Sequence, residues 1–327
     1  MIVFVCPSKG KSCGIARYTS YVEHFLRRAG IDCVTVPTMA AVLALGKDLL
    51  SRIRAVIVQH EYGLFDGDVN RALWAGESTG QLVSRIGKVV RRGIPVVVLM
   101  HTVDYLYPRL DRRTRAIAAS DATVMTLNPL CAERLGWPFF EHGIPLFVSQ
   151  GCAAAVDDDE PHLMHFGFLS GMKRADLLFE IAETLRLPLD VNFSTTDRQQ
   201  MEALQRRVRS SSLPHRVTHG FMDEAAMIAR WRGRRGVFVS PQAELNGYYA
   251  TSGSTRFAMN FGVPIVCTGW LQHLGLDSID CVPTGDLALQ VKLSLAAFEA
   301  RRAAIAEEAE AKSIGSVYGT LIAGLAA

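Results

Sequence analysis

Strand-length apolar runs, each followed by a short loop and then a helical pattern, recur along the chain and leave few architectures open. Met1 to Cys6 is the first such run. Beyond the loop Pro7 to Gly14, Ala16, Tyr18, Val22, Phe25 and Leu26 fall near helical spacing in a segment from Ile15 to Ala29 that stops at Gly30, a good C-cap. Further strands are predicted at Asp32 to Val36, Ala55 to Gln59, Pro95 to Met100 and Ala122 to Thr126, with a long helix from Asn70 to Arg92. Alternation of this kind builds a parallel sheet covered by helices. The acidic stretch Gly151 to Pro161 reads as an exposed linker, and the alternation then restarts. Strands are predicted at Leu163 to Leu169, Leu189 to Phe193, His215 to Thr218, Gly236 to Val239 and Val263 to Cys267. Helices are predicted at Ala175 to Leu185, Asp197 to Arg209 and Ser254 to Phe261, with a helical tail from Leu287 to Leu325.

A chain of 327 residues suits two such domains, and 49% apolar with 20% charged residues is the balance of a folded globular protein. The apolar runs fall far short of the roughly 20 residues that cross a bilayer, so no transmembrane segment is expected. The N-terminus carries no basic region ahead of its apolar run, which places the protein in the cytoplasm or peripheral to a membrane. Seven scattered cysteines without a Cys-x-x-Cys pair read as free thiols. Net charge is only +3, yet arginines cluster at Arg112-Arg113, Arg206-Arg207-Arg209 and Arg230-Arg232-Arg234-Arg235, as solvated faces or as a contact for an anionic surface.

Ligands of open α/β sheets bind at the carboxyl ends of strands, so four loops there are the candidates for chemistry. The loop Ser8 to Ala16 includes Gly14 just before a helix, where free N–H groups can face an anion. His60 to Gly67 packs Glu61 among aromatic and Gly residues, and His101-Thr102-Val103-Asp104 follows the most apolar strand. The fourth region joins Ser170-Gly171-Met172-Lys173-Arg174 to Thr251-Ser252-Gly253-Ser254-Thr255: hydroxyls and Gly open a helix, and Lys173 supplies the charge that a diphosphate needs. No His/Cys cluster marks a metal site, and none is expected.

Cys13 to Thr19, Gln59 to Phe65 and Leu99 to Val103 together resemble the N-terminal signature of glycosyltransferase family four. His142-Gly143-Ile144, Phe166 to Leu169 with Lys173, and Ser252-Gly253-Ser254 through Ala258 to Val266 resemble its later blocks, in order and over nearly the whole chain. The chain departs from the family where two glutamates are usual, since Tyr249 and Phe257 stand there, and Glu244 lies nearby at a different spacing. The Arg usual before the phosphate-loop Lys is replaced by Ser170 and Gly171, with Arg174 only afterwards. Ser252-Gly253 is similar to the subgroup that opens its phosphate-binding helix with a Ser-Gly pair.

The resemblance implies the GT-B fold, an α/β fold of two Rossmann-like domains facing across a cleft: an acceptor domain over 1–152, a nucleotide-sugar domain over 153–305, and a helix over 306–327 crossing back to the first. It implies metal-independent transfer, with retention, of a sugar from a nucleotide-diphosphate donor, UDP- or GDP-linked, without a further cofactor. Lys173, Arg174, Ser252, Gly253, Ser254, Thr255, Gly14 and Glu244 become donor contacts, and His101, Glu61 and Asp104 the catalytic candidates. The acceptor is left as a saccharide, a lipid-linked saccharide or a hydroxymethylated base in DNA. A nucleotide-binding protein that kept the fold and lost the chemistry is the remaining alternative, opened by the missing glutamates.

Overall fold

The computed structural model describes all residues except 11–12, 63, 66–76, 148–157, 170–172, 196, 244–246, 271–272 and 325–327, and describes 158–159 by backbone alone. Two compact units divide the chain: Met1–Pro145 with Leu245–Thr251 and Lys312–Ala327, and Leu146–Glu244 with Ser252–Ala311.

The first unit runs β1 (Ile2–Val5), α1 (Gly14–Arg28), β2 (Cys33–Val36), α2 (Met39–Leu43), α3 (Lys47–Leu50), β3 (Ala55–His60), α4 (Thr79–Val90), β4 (Val96–Met100), β5 (Thr102–Asp104), α5 (Pro108–Ala118), β6 (Thr123–Thr126) and α6 (Pro129–Leu135). Five strands form a parallel sheet in the order β2-β1-β3-β4-β6. Every residue of β1, β3 and β4 is buried, which is why these strands read as unbroken apolar runs rather than as alternation. Of the helix expected over Asn70 to Arg92, residues 70–76 lie outside the described residues. The described helix begins at Thr79 behind a capping box, in which the Ser78 side chain accepts from the Gln81 N–H and the Gln81 side chain from the Ser78 N–H.

The second unit runs β7 (Asp158–Phe168), α7 (Ala175–Leu185), β8 (Leu189–Ser194), α8 (Arg198–Ser210), β9 (Arg216–His219), α9 (Glu224–Trp231) and β10 (Arg234–Ser240). After β11 (Tyr248–Ala250), which belongs to the first unit, it continues with α10 (Gly253–Ala258), β12 (Ile265–Cys267), β13 (Asp280–Cys281), α11 (Leu287–Ala296) and α12 (Phe298–Ala311). Its six-stranded sheet has the order β13-β12-β10-β7-β8-β9, and every pairing is parallel. β7 begins at Asp158, inside the stretch expected to be a linker, and residues 151–157 of that stretch lie outside the described residues. Where β10 passes β7 the register shifts, and a Cβ on Gly236 would fall 2.5 Å from the His162 carbonyl oxygen, so only glycine fits.

The tail is helical throughout its described length but breaks into three pieces, α11, α12 and α13 (Ile314–Gly324). α12 runs through the expected boundary at 306 because Ile305 and Ala309 are buried in the second unit, and the chain returns to the first at Lys312. There α13 packs on α1, and Ile314, Tyr318 and Ile322 join Tyr18, Val22 and Leu26 in the core over Ile2, Phe4, Ile57 and Leu99. Each such side chain taken from water is worth about 1.5–3 kcal/mol. The approach is close: a Cβ on Gly143 would lie 2.9 Å from the Ile314 Cα.

Sequence periodicity leaves several short elements unread, α2, α3, α5, α6, α9 and β13 among them, and with them a two-stranded ribbon. β5 and β11 form an antiparallel ribbon, Thr102 opposite Ala250 and Asp104 opposite Tyr248, extended by a hydrogen bond from the Tyr105 N–H to the Gly247 carbonyl. Gly247 has φ +92°, a left-handed conformation that costs a side chain but not a glycine.

Candidate functional site

A doubly wound sheet opens a crevice where its strand order reverses. In the first unit the chain leaves β1 toward β2 on one side and returns to β3 on the other, so the reversal lies between the carboxyl ends of β1 and β3. In the second, β8 and β9 lie to one side of β7 and β10 and β12 to the other, so it lies between β7 and β10. Gly14 follows β1, Glu61 follows β3, Lys173 follows β7, and Gln242 and Ser252 follow β10.

In the first unit His101 follows β4 directly and is buried. Its Nε2 lies 2.6 Å from the Gln59 Oε1. An amide oxygen only accepts, so Nε2 carries the proton and Nδ1 the lone pair. The Gln59 amide is oriented in turn, its Nε2 donating to the Tyr318 hydroxyl at 3.4 Å. The His101 ring meets Tyr18 and His142 edge-on, at 5.7 and 5.9 Å between centroids. Burial pulls its pKa down to about 4, so the ring is neutral at physiological pH.

Glu61 accepts from the Thr102 hydroxyl at 2.5 Å and from the Tyr62 N–H at 2.9 Å. Burial nevertheless pushes its pKa above the ordinary carboxylate range, as it does for Asp104. Tyr248, held opposite Asp104 by the ribbon, also hydrogen-bonds Thr102, and burial raises its pKa to about 12. Asp104 is occupied by the backbone, accepting from the Leu106 N–H at 2.8 Å. Gly14 opens α1, and a Cβ there would meet nothing within 4 Å.

The second unit collects its candidates around Gln242 and Lys173. Ser252 caps α10, its Oγ accepting from the Thr255 N–H and lying 2.9 Å from the Thr255 hydroxyl and 3.3 Å from that of Ser254. The Gln242 Nε2 reaches the Ser252 Oγ at 3.0 Å and the Ser240 Oγ at 3.2 Å. It also lies 3.4 Å from the His273 Nε2, which must therefore accept. Thr255 hydrogen-bonds Cys267, and the Lys173 ammonium acts on Cys267, His165 and His273.

No carboxylate among the described residues pairs with Lys173, and burial lowers its pKa to about 8. His165 donates from Nδ1 to the Val239 carbonyl at 2.7 Å, so its buried Nε2 is an acceptor. Arg174 does not join this group. With φ at 37° it turns its guanidinium onto Asp176 at 2.7–3.1 Å. A Cβ on Gly253 would meet nothing within 4 Å, which leaves room over the first turn of α10. Glu244 lies outside the described residues.

Gln59, Tyr318, Thr102, Gln242, His165 and His273 are the partners that sequence reading passes over. Only Gln59 and Thr102 carried a signal, as neighbours of Glu61 and His101 within the quoted blocks.

No family model matches the chain, and no curated protein matches it by sequence. Solved structures do. An α-glucosyltransferase in complex with UDP and a 13-mer DNA containing an HMU base is similar at TM-score 0.63 and 12% identity, over 100% of this chain and 99% of that one. Anabaena HepE in complex with UDP-glucose gives 0.60 at 13% identity, over 99% of each chain. Acinetobacter baumannii MurG gives 0.52 at 12%, over 99% of this chain and 98% of that one. Identities this low show the fold alone: the chain has the two Rossmann-like units of GT-B glycosyltransferases.

Proposed function

We propose that the chain is a glycosyltransferase that takes a sugar from a nucleotide-diphosphate donor. The observation that carries this reading is Lys173, a partly buried ammonium without a carboxylate partner among the described residues, which acts on Cys267, the hydrogen-bond partner of Thr255 in the Ser252-Ser254-Thr255 hydroxyl cluster. A lone buried cation is costly unless an anion completes it. A diphosphate supplies that anion, and proteins of this fold have been solved with UDP and UDP-glucose.

In the proposed reaction the bond from the anomeric carbon to the donor's phosphate oxygen breaks, and one to the acceptor hydroxyl oxygen forms. The departing diphosphate carries the negative charge, which Lys173 and the hydroxyls stabilise at preorganised positions, worth a few kcal/mol per donor. The acceptor proton leaves with the diphosphate or through Glu61, whose pKa burial raises above the ordinary carboxylate range. His101, neutral and fixed in tautomer by Gln59, accepts a sugar or acceptor hydroxyl at Nδ1. Gly14 leaves a helix N-terminus open to charge. Retention of configuration, the UDP or GDP identity of the donor, and roles for Asp104, Arg174 and Glu244 belong to the same proposal. So does the assignment of the acceptor to the first unit and of the donor to the second.

The test is a thermal-shift panel of nucleosides, nucleotide diphosphates and nucleotide sugars. A ligand at about 100 times its dissociation constant stabilises by about 2.7 kcal/mol, which moves Tm by at least about 5 °C for a unit of this size. No shift with any nucleotide diphosphate would overturn the reading. Binding with neither sugar hydrolysis nor transfer would leave a silent nucleotide-binding protein. A hydroxymethylated base in DNA as acceptor is the second reading, favoured by one surface of the first unit.

A further inference from the structure

Residues 79–118 hold eight Lys/Arg against two Asp/Glu, so a chain whose whole net charge is +3 carries +6 in this stretch and is net negative elsewhere. The stretch is α4, β4, β5 and α5, and the two helices pack side by side. The sheet order fixes their layer: the steps β3 to β4 and β4 to β6 run opposite to β1 to β2, so right-handed crossovers put α4 and α5 on the face away from α1. Thr79, Leu82, Ile86 and Val89 of α4 and Thr114 and Ile117 of α5 face inward, which leaves Lys88, Arg91, Arg92, Arg109, Arg112 and Arg115 exposed. Among the described residues Asp111 pairs with Arg115 at 3.0 Å, Asp121 lies with Arg91 beside Gly87, and Glu77 takes Arg85, which is not in the exposed set.

We propose that the exposed faces of α4 and α5 form a docking surface for the phosphate backbone of duplex DNA. Helices of 12 and 11 residues are about 18 and 16 Å long, and a duplex presents one charge per roughly 1.7 Å of axis, so the band matches about ten phosphates in length. At the start of α5, Leu106 and Tyr107 are 42% and 62% exposed, an apolar and aromatic tip of the kind that enters a groove or stacks on a base. An anionic membrane fits less well. A helix that lies in a lipid interface turns its apolar face outward, whereas the apolar positions of α4 and α5 are buried in the unit and their outward faces carry arginine, lysine and alanine. That this DNA is also the sugar acceptor rests on the transferase reading above; the docking itself does not.

The experiment is fluorescence anisotropy of a labelled 24-base-pair duplex with the full chain, alongside co-sedimentation with phosphatidylglycerol vesicles. With Arg91 and Arg115 beside acids and Arg109 left out of the count, Lys88, Arg92 and Arg112 neutralise about three phosphates. Log K against log salt then has a slope of about −2.7, an affinity loss of about 40-fold between 50 and 200 mM salt. Lys88→Glu with Arg112→Glu, both on exposed positions, weakens duplex binding at least tenfold while UDP binding and Tm are unchanged. Vesicle binding without duplex binding, a flat salt response, or unchanged duplex affinity in the double variant each overturns the proposal. If the duplex binds as stated and no nucleotide diphosphate binds, the donor reading fails and the docking surface stands.

Discussion

Replacing Lys173 with methionine keeps the length of the side chain and removes only the charge, so it isolates what the ammonium does. Two unit charges 4 Å apart attract by about 4 kcal/mol at an effective dielectric of 20, and the desolvation of both reduces this to the 1.5–3 kcal/mol typical of a hydrogen bond to a charged group. Lys173→Met is therefore expected to weaken UDP about 12- to 150-fold while uridine, which has no phosphate, changes less than about twofold. Isothermal titration calorimetry with both ligands measures the difference. The pH dependence follows from burial, which lowers the Lys173 pKa to about 8. UDP affinity is flat with respect to this group below that value and falls up to tenfold per unit above it, until the pKa of the complex is reached. In Lys173→Met this fall disappears.

Stability moves the other way. Below pH 8 the ammonium is charged in both folded and unfolded chains and its burial cost is fully present; between 8 and the unfolded value of 10.5 the folded state sheds the proton and the cost is relieved. The free variant should melt above the wild type below pH 8, with the gap narrowing as pH rises to 10.5. Equal losses for UDP and uridine, or a variant that melts lower at pH 7, would refute the proposal that Lys173, without a carboxylate partner among the described residues, awaits phosphate.

Three further outcomes are expected. His101→Ala lowers turnover by about two to four decades with UDP binding retained; full turnover in a merely less stable protein would return His101 to the core. Tyr318→Phe strips the acceptor from the buried Gln59 amide and costs about 1–3 kcal/mol in urea unfolding, with a loss of turnover larger than its loss of UDP affinity, and a neutral result in both measurements counts against the Tyr318-Gln59-His101 chain. EDTA leaves transfer unchanged if, as proposed, Lys173 and hydroxyls take the part of a metal; abolition that magnesium reverses would contradict that mechanism.

The two sheets were legible because strands such as β4, buried on both faces, leave continuous valine-rich runs, and because Gly30, Gly93 and Gly262 stop helices where the pattern stops. β5 and β11 were not: three residues give no period, and Thr102-Val103-Asp104 acquires strand geometry only from its partner 146 positions later. The positions of His101, Glu61 and Lys173 after strands could be read, but what fixes them could not. Gln59 gains its meaning from a hydroxyl 259 residues away, and the neutral state of His101 from burial that no local pattern encodes. Arg174 reads as a phosphate contact by its place next to Lys173; its pairing with Asp176, two positions on, was not legible in the pattern.

The return of α13 to the first unit makes the order of synthesis matter. Of the two units, the one made first is the last to be completed, because its core lacks Ile314, Tyr318 and Ile322 until the 166 residues between Pro145 and Lys312 have been made. At about 5–20 residues per second, that is a delay of about 8–33 s during which the second unit can already fold. In that interval the Gln59 amide has no Tyr318 hydroxyl to orient it, and the nitrogen of His101 that carries the proton is not yet decided. The order within the first unit is thus set by α13, and a nascent protein that lacks it carries His101 and Gln59 before the hydroxyl that orients them.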